Sequence, residues 1–234
     1  MEANRAAALR RVAGLLAGPY RASLPRTALA AARGVRPMIV SPGFRIAGAG
    51  RISAAGLVKL GTRDYGFTDA RMDGLLRVRG RLEFRGGAEI GKGARWDVGP
   101  GATVTIGAGT YFSPRSLLIA SIGITVGADC AIAWDVQILD DDFHTLVVAG
   151  EQRPSTLPVE IGDHVWIGNR SLVLKGARIP RGCVVAANSV VTGRFDEENC
   201  LLAGSPARVV KRDVVWDPAA DEVGAPPLPA VSAR

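Results

Sequence analysis

The chain has 234 residues, 47 % hydrophobic, 22 % charged and only 6 % aromatic, with 29 glycines and a formal charge of +7. This composition suits a narrow β core with many turns, and no apolar run nears the ~20 residues of a membrane-spanning helix. The positive balance points to anionic partners, but no aromatic–basic platform or zinc-finger spacing is present, so nucleic acid is not expected among them.

Residues 1–36 are Ala- and Arg-rich around a short apolar centre. Arginines recur on both sides of that centre, which argues against a secretory signal. The expectation is a cytoplasmic chain whose Cys130, Cys183 and Cys200 are reduced, inward-facing thiols, since they show no CxxC or other metal spacing. The segment reads as a helical or irregular cap over the end of the repeats that follow. Arg5, Arg10, Arg11, Arg21 and Arg26 leave a second reading open, a peripheral contact with an anionic membrane.

From residue 37 a six-residue spacing sets in. Ile46, Ile52 and Val58 are six apart; after a break near 61–75, Val78, Phe84, Ile90 and Trp96 continue it. Ile106, Phe112 and Leu118 follow, the phase moves, and Val126, Ile132 and Ile138 take over. Six is neither the helical period of 3.6 nor plain strand alternation.

The spacing then fails between Ile138 and Ile161, which are 23 residues apart. The intervening stretch carries Asp140, Asp141, Asp142 and His144, one of two histidines in the chain. A neutral imidazole in such an excursion suits a general base, and a neighbouring carboxylate suits its orientation. The plainer alternative is a surface histidine in an acidic turn.

Beyond the excursion the period is strict: Ile161, Ile167, Val173, Ile179, Val185 and Val191. Two positions before each stands a mostly small residue: Val159, Val165, Ser171, Ala177, Cys183 and Ser189. Residues i−2 and i share one strand face, so each unit turns one small and one larger side chain inward. Three units close a triangular coil of about eighteen residues, and stacked coils bury a continuous thin core. His164 lies outward within this regular run and reads as structural or surface. After residue 216 the chain is Pro- and Ala-rich, and 217–234 read as a disordered tail.

The segment IGDHVWIGNRSLVLKGARIPRGCVVAANSVVTG, with its strict hexads, resembles the hexapeptide repeat of left-handed parallel β-helix acyltransferases. The resemblance implies an all-β solenoid over 37–216 with the cap before it and the His144 loop as an excursion. AIAWDVQILDDDFHTL resembles the segment presenting the catalytic histidine in sugar O-acetyltransferases of this kind, with Asp140, Asp142 and His144 matching its Asp-x-Asp-x-His pattern. The resemblance then implies acetyl-CoA as donor, a homotrimer with sites between subunits, and His144 as base. Asp140 or Asp142 orients His144 or touches the acceptor, and Asp141 faces solvent. Asp135, where relatives often carry Asn, is placed in acceptor binding. VWIGN, VVAANSVVTG and LLAGSPARVVK resemble the donor wall, implicating Trp166, Gly168, Asn169, Ala186, Ala187, Thr192, Arg208 and Lys211. A backbone N–H from Gly168 or a nearby residue would stabilise the oxyanion.

The implied activity is acetyl transfer to a hydroxyl of a sugar or glycoconjugate. Its rivals are N-acetylation of an amino sugar or antibiotic, and a non-catalytic β-helix scaffold, for which an unbroken repeat would be expected. Serine acetyltransferases carry a large helical N-terminal domain that 36 residues cannot form. Zinc-dependent carbonic anhydrases of this fold need three histidine ligands, which two histidines cannot supply, so no metal is expected.

Overall fold

The computed structural model describes residues 37–62, 67–69 and 72–217, together with Ser23, Pro25, Thr27, Ala28 and Ala32. The cap expected over 1–36 and the tail expected over 217–234 lie outside the described residues, except for those five positions and Asp217. Where it is described, the N-terminal segment meets the first strand: the Ser23 N–H donates to the Val40 carbonyl at 2.7 Å, and the Val40 N–H to Thr27 Oγ1 at 3.1 Å.

Strands wind in turn through three parallel sheets, so the chain from Met38 to the last coil is a three-sided solenoid. The first face holds nine strands, from Met38–Val40 through Trp166–Ile167 and Val184–Val185 to Leu201–Gly204 and the antiparallel Ala207–Lys211. The second face holds seven, including Leu117–Ala120, Gln137–Leu139 and Leu172–Val173. The third holds six, including Gly123–Val126, Val159–Ile161 and Arg178–Ile179.

The inward residues are those the hexads select. Ile161, Ile167, Val173, Ile179, Val185 and Val191 are buried, and so are their small partners Val159, Val165, Ser171, Ala177, Cys183 and Ser189. An inward serine is tolerated because the next coil's backbone satisfies it: Ser171 Oγ donates to the Ala186 carbonyl at 3.0 Å and accepts from the Ser189 N–H at 3.3 Å. Lower down, where the prism is wider, Trp96 packs edge-on against Phe112 at 4.6 Å between ring centres. All three cysteines are free and buried, and burial pushes the Cys130 thiol up to about 11.

Coil length explains why the period reads cleanly only near the C-terminus. Trp166 pairs with Val184 and Leu172 with Val190, each 18 residues on, whereas Tyr111 pairs with Ala131 at 20 and Glu89 with Tyr111 at 22. The extra residues lengthen the strands of the second and third faces, four residues in Arg95–Val98 and Thr103–Ile106 against two in Leu172–Val173 and Arg178–Ile179, and so shift the phase. Two coils are far longer: Val58 pairs with Ala88 at 30, and Ala131 with Trp166 at 35. The first carries the break at 61–73, at the edge between first and second faces. The second carries the His144 excursion, at the edge between second and third faces.

Corners stack into columns of left-handed backbone. Gly93, Arg115, Asp135, Arg170 and Asn188 (φ 57° to 69°) form one column at the first–second edge. Asp129, His164, Gly182 and Asn199 (φ 53° to 69°) form another at the third–first edge.

Candidate active site

The His144 loop leaves the coil at Asp140 and returns at Leu157. Asp140 is fully buried, and its carboxylate accepts three backbone N–H groups of the coil beneath: Ser121 at 2.7 Å, Ile122 at 2.9 Å and Gly123 at 2.6 Å. Its carbonyl accepts the N–H of Leu157 at 3.0 Å, so one residue ties departure and return together. A buried carboxylate requires such pairing.

Above this anchor, Lys175 clamps the loop's two arms. Its ammonium pairs with Asp142 Oδ2 at 2.7 Å and donates to the Pro154 carbonyl. The tip is an antiparallel hairpin, Leu146–Val148 against Glu151–Arg153, turned by Ala149 and Gly150, both at positive φ. Such a pair of positive angles defines the turn that matches strand twist.

His144 sits exposed between anchor and hairpin, its Nδ1 3.2 Å from the Asp142 carbonyl. A carbonyl can only accept, so Nδ1 donates in this contact, and in the neutral ring that leaves the lone pair on Nε2. The contact that orients His144 is therefore the main chain of Asp142, while the carboxylate of Asp142 serves Lys175. Asp141 caps the turn through the Phe143 N–H at 2.7 Å.

The residues expected to hold the donor fall mainly on another edge. Gly168, Asn169, Ala186 and Ala187 stack at the first–second edge, directly above Trp134 and Asp135, and Trp166 stands exposed on the adjoining first face. Arg208, opposite Ala203 in the last hairpin, joins the same edge from above. Lys211, opposite Leu201, lies toward the far end of that face, and Thr192 follows the second-face strand Val190–Val191 toward the His144 edge. These two are not brought to the others.

Gly168 is glycine because the next coil leaves no room: a Cβ would lie 2.6 Å from Ala187 N and 2.8 Å from the Val185 oxygen. Its N–H already donates to Val185 O at 2.8 Å, which removes it as the oxyanion donor expected from the sequence. Among the described residues the N–H groups of Asn169 and Ala187 have no hydrogen-bond partner and remain open on this edge.

Asp135 is bound bidentately by Arg115, Nε to Oδ1 and Nη2 to Oδ2 both at 2.6 Å. Arg115 hydrogen bonding holds its carboxyl below the usual range, against partial burial, with the charges of Arg115 and Arg170 adding to the effect. The pairing was legible in principle, since Arg115 and Asp135 are one 20-residue coil apart, but only once coil length is known. Lys175 had no such signal.

Sequence reasoning also missed Trp216. Its ring stacks on His164 at 4.3 Å and 10°, its indole N–H donates to the His164 carbonyl at 3.0 Å, and His164 Nε2 donates to the Trp216 carbonyl at 3.2 Å. Trp216 is 9 % exposed against Ala131 and Val184, with Trp166 6.2 Å away. His164 is thus half of a clasp holding residues 212–217 to the first face. Trp216→Ala should lower the melting temperature by roughly 4–8 °C, from ~2 kcal/mol of lost packing at 2–4 °C per kcal/mol. Calorimetry checks this, and an unchanged melting point would mean that the strap contributes nothing.

Residues 158–193 match the bacterial transferase hexapeptide (six repeats). Over 138 residues, 59 % of it, the chain is 41 % identical to an uncharacterised 24.8 kDa protein of the cps region of Klebsiella pneumoniae. Over 105 residues, 40 % of it, the chain is 37 % identical to the putative lipopolysaccharide biosynthesis O-acetyl transferase WbbJ of Escherichia coli K12. The matched stretches span 61 % and 53 % of those relatives' own lengths. The crystal structure of the polysialic acid O-acetyltransferase OatWY superposes with a TM-score of 0.55 at 25 % identity, covering 77 % of this chain and 86 % of that one. The solenoid is thus the left-handed parallel β-helix that the resemblance implied. Among the described residues no group of three or more His, Cys, Asp or Glu side chains could hold a metal ion.

Proposed function

We propose that this chain transfers an acetyl group from acetyl-CoA to a hydroxyl of a sugar or glycoconjugate, with His144 as general base. The observation that carries the reading is the His144 imidazole, exposed on a doubly anchored loop and held by the Asp142 carbonyl in the tautomer that leaves Nε2 basic. The likeness to chains named as O-acetyl transferases supports the class of reaction.

The step balances without a covalent enzyme intermediate. His144 Nε2 takes the acceptor hydroxyl proton as the oxygen attacks the thioester carbonyl carbon. The tetrahedral oxyanion collapses, the C–S bond breaks, and the leaving thiolate takes the proton from the imidazolium, giving acetyl ester and coenzyme A. The open N–H groups of Asn169 and Ala187 are the candidates for the pantetheine amides and the oxyanion. Arg208 supplies charge for phosphates at the same edge, and Trp166 walls the thioester from the adjoining face. Asp135 belongs to the acceptor side.

The placement of these groups supports assembly into a trimer. His144 and the donor wall lie on different edges of one prism, separated by the second face, whose strands here are Gln137–Leu139 and Leu172–Val173 with a corner on either side. Among the described residues no hydrogen bond or ion pair joins 141–156 to the first–second edge. A second copy that lays its His144 edge against this one would complete the site; such a head-to-tail contact can close into a ring, and three copies is the number that the resemblance implies. The exposed Phe143 (55 %), Leu146 (53 %) and Val147 (59 %) supply apolar surface for the contact.

Thiol release from acetyl-CoA across sugars, amino sugars and nucleotide sugars tests the reading. Acceptor-dependent release with ester formation is expected; release only with amino sugars, giving amides, would move the activity to N-acetylation. Absence of acetyl-CoA binding in calorimetry would favour a binding scaffold instead.

A further inference from the structure

The 30-residue coil that interrupts the repeat at 61–73 has no part in the acetyl-transfer chemistry above. Its described residues climb the first–second edge toward the candidate site. Met72 lies against Gly93, where a Cβ would sit 3.6 Å from its Sδ, and Phe67 reaches Trp134 at 5.5 Å between ring centres. The Arg115 guanidinium lies 5.1 Å over the Phe67 ring while it grips Asp135. The excursion thus leaves an exposed aromatic pair, Phe67 at 44 % and Trp134 at 38 %, with Trp134 one coil below the open amide of Asn169 and two below that of Ala187.

Arg170 stands next above Asp135 in the same column. It is exposed and makes no ion pair or side-chain hydrogen bond among the described residues. It holds left-handed backbone (φ 59°), which glycine or asparagine adopts more readily, as Gly93 and Asn188 do in this column. Arg115 and Asp135 neutralise each other, so the cluster keeps one uncompensated positive charge beside an aromatic face. Sugar rings present C–H faces to aromatic rings, and a guanidinium binds a carboxylate through paired donors.

We infer that this edge, with Trp134 as the stacking platform and Arg170 as the anion hook, is the acceptor subsite and takes a carboxylate-bearing sugar residue of a glycan. The inference rests on the acetyltransferase reading for the word acceptor, but the binding itself does not require transfer. Phe67 backs Trp134, and the Arg115–Asp135 pair fixes the corner that displays both.

The test is direct binding, by saturation-transfer NMR and calorimetry on the full chain, of a sialic acid tetramer and of the same tetramer with its carboxyls reduced to alcohols. The acidic tetramer should bind at least about tenfold more tightly than the reduced one, and Arg170→Gln should abolish that preference. Trp134→Ala should weaken both; Arg170→Gln, at an exposed position, keeps the test open if Trp134→Ala folds poorly. Equal binding of the two tetramers, or binding unaffected by Arg170→Gln, would overturn the inference. Acidic-tetramer binding that follows this pattern without any acetyl transfer would uphold the subsite and count against the acetyltransferase reading alone.

Discussion

His144→Ala should cut acceptor-dependent thiol release by about 10²–10⁴-fold, the range that a positioned general base contributes. Melting temperature should not move, because the imidazole is exposed and its one hydrogen bond is to a carbonyl two residues away. Acetyl-CoA affinity should also hold, since the donor wall lies on a different edge. Steady-state rates at saturating acetyl-CoA, with calorimetry on the same preparation, read both quantities. Turnover within a few-fold of the parent would remove His144 from the chemistry. A loss of turnover matched by a loss of melting temperature would instead mean that the loop had been damaged.

Asp140→Ala is expected to be the most damaging single change to the His144 loop. It strips the acceptor from three backbone N–H groups at once and leaves them in a partly buried turn. Leaving buried donors unsatisfied costs ~1–3 kcal/mol each, and partial exposure to water reduces the sum to about 3 kcal/mol. That is a fall of roughly 6–12 °C in melting temperature for a chain of this size. Limited proteolysis should then open the loop between 141 and 157, because the residue that joins its departure to its return is gone. Asp140→Asn should fall between, keeping one oxygen but turning an amide donor toward a donor. The sequence pattern offered Asp140 as a partner of His144 in catalysis. If it acts there, Asp140→Asn will depress turnover at an unchanged melting temperature, and the anchoring role argued from the three short contacts fails.

Both outcomes turn on what periodicity can carry. Six-residue spacing with small residues two positions earlier identified the inward side chains, because the strand alternation that buries them is local and repeats in every side. It also identified His144 as the residue to watch, since Ile138 and Ile161 are 23 residues apart, not a multiple of six, and the chain must leave the coil and return. The shorter break near residue 61 was visible by the same logic, but its partner was not. Phe67 meets Trp134 across 67 positions of chain, and no local signal joins them.

What the linear pattern determined, then, is every property set within one coil: the β class, the buried faces, the corners and the excursions. Stacking decided everything between coils. Which acceptor Arg115 grips, why Asp140 faces inward, why Gly168 cannot spare its N–H and where Trp216 folds back all depend on coil length and on which edge each insertion leaves from. Those lengths vary from 17 to 35 residues along this chain, so neighbours in space cannot be counted from neighbours in sequence. Charge and hydrogen bonding act over a few ångströms in that stacked geometry, and only there do the three aspartates of one short run acquire three different tasks.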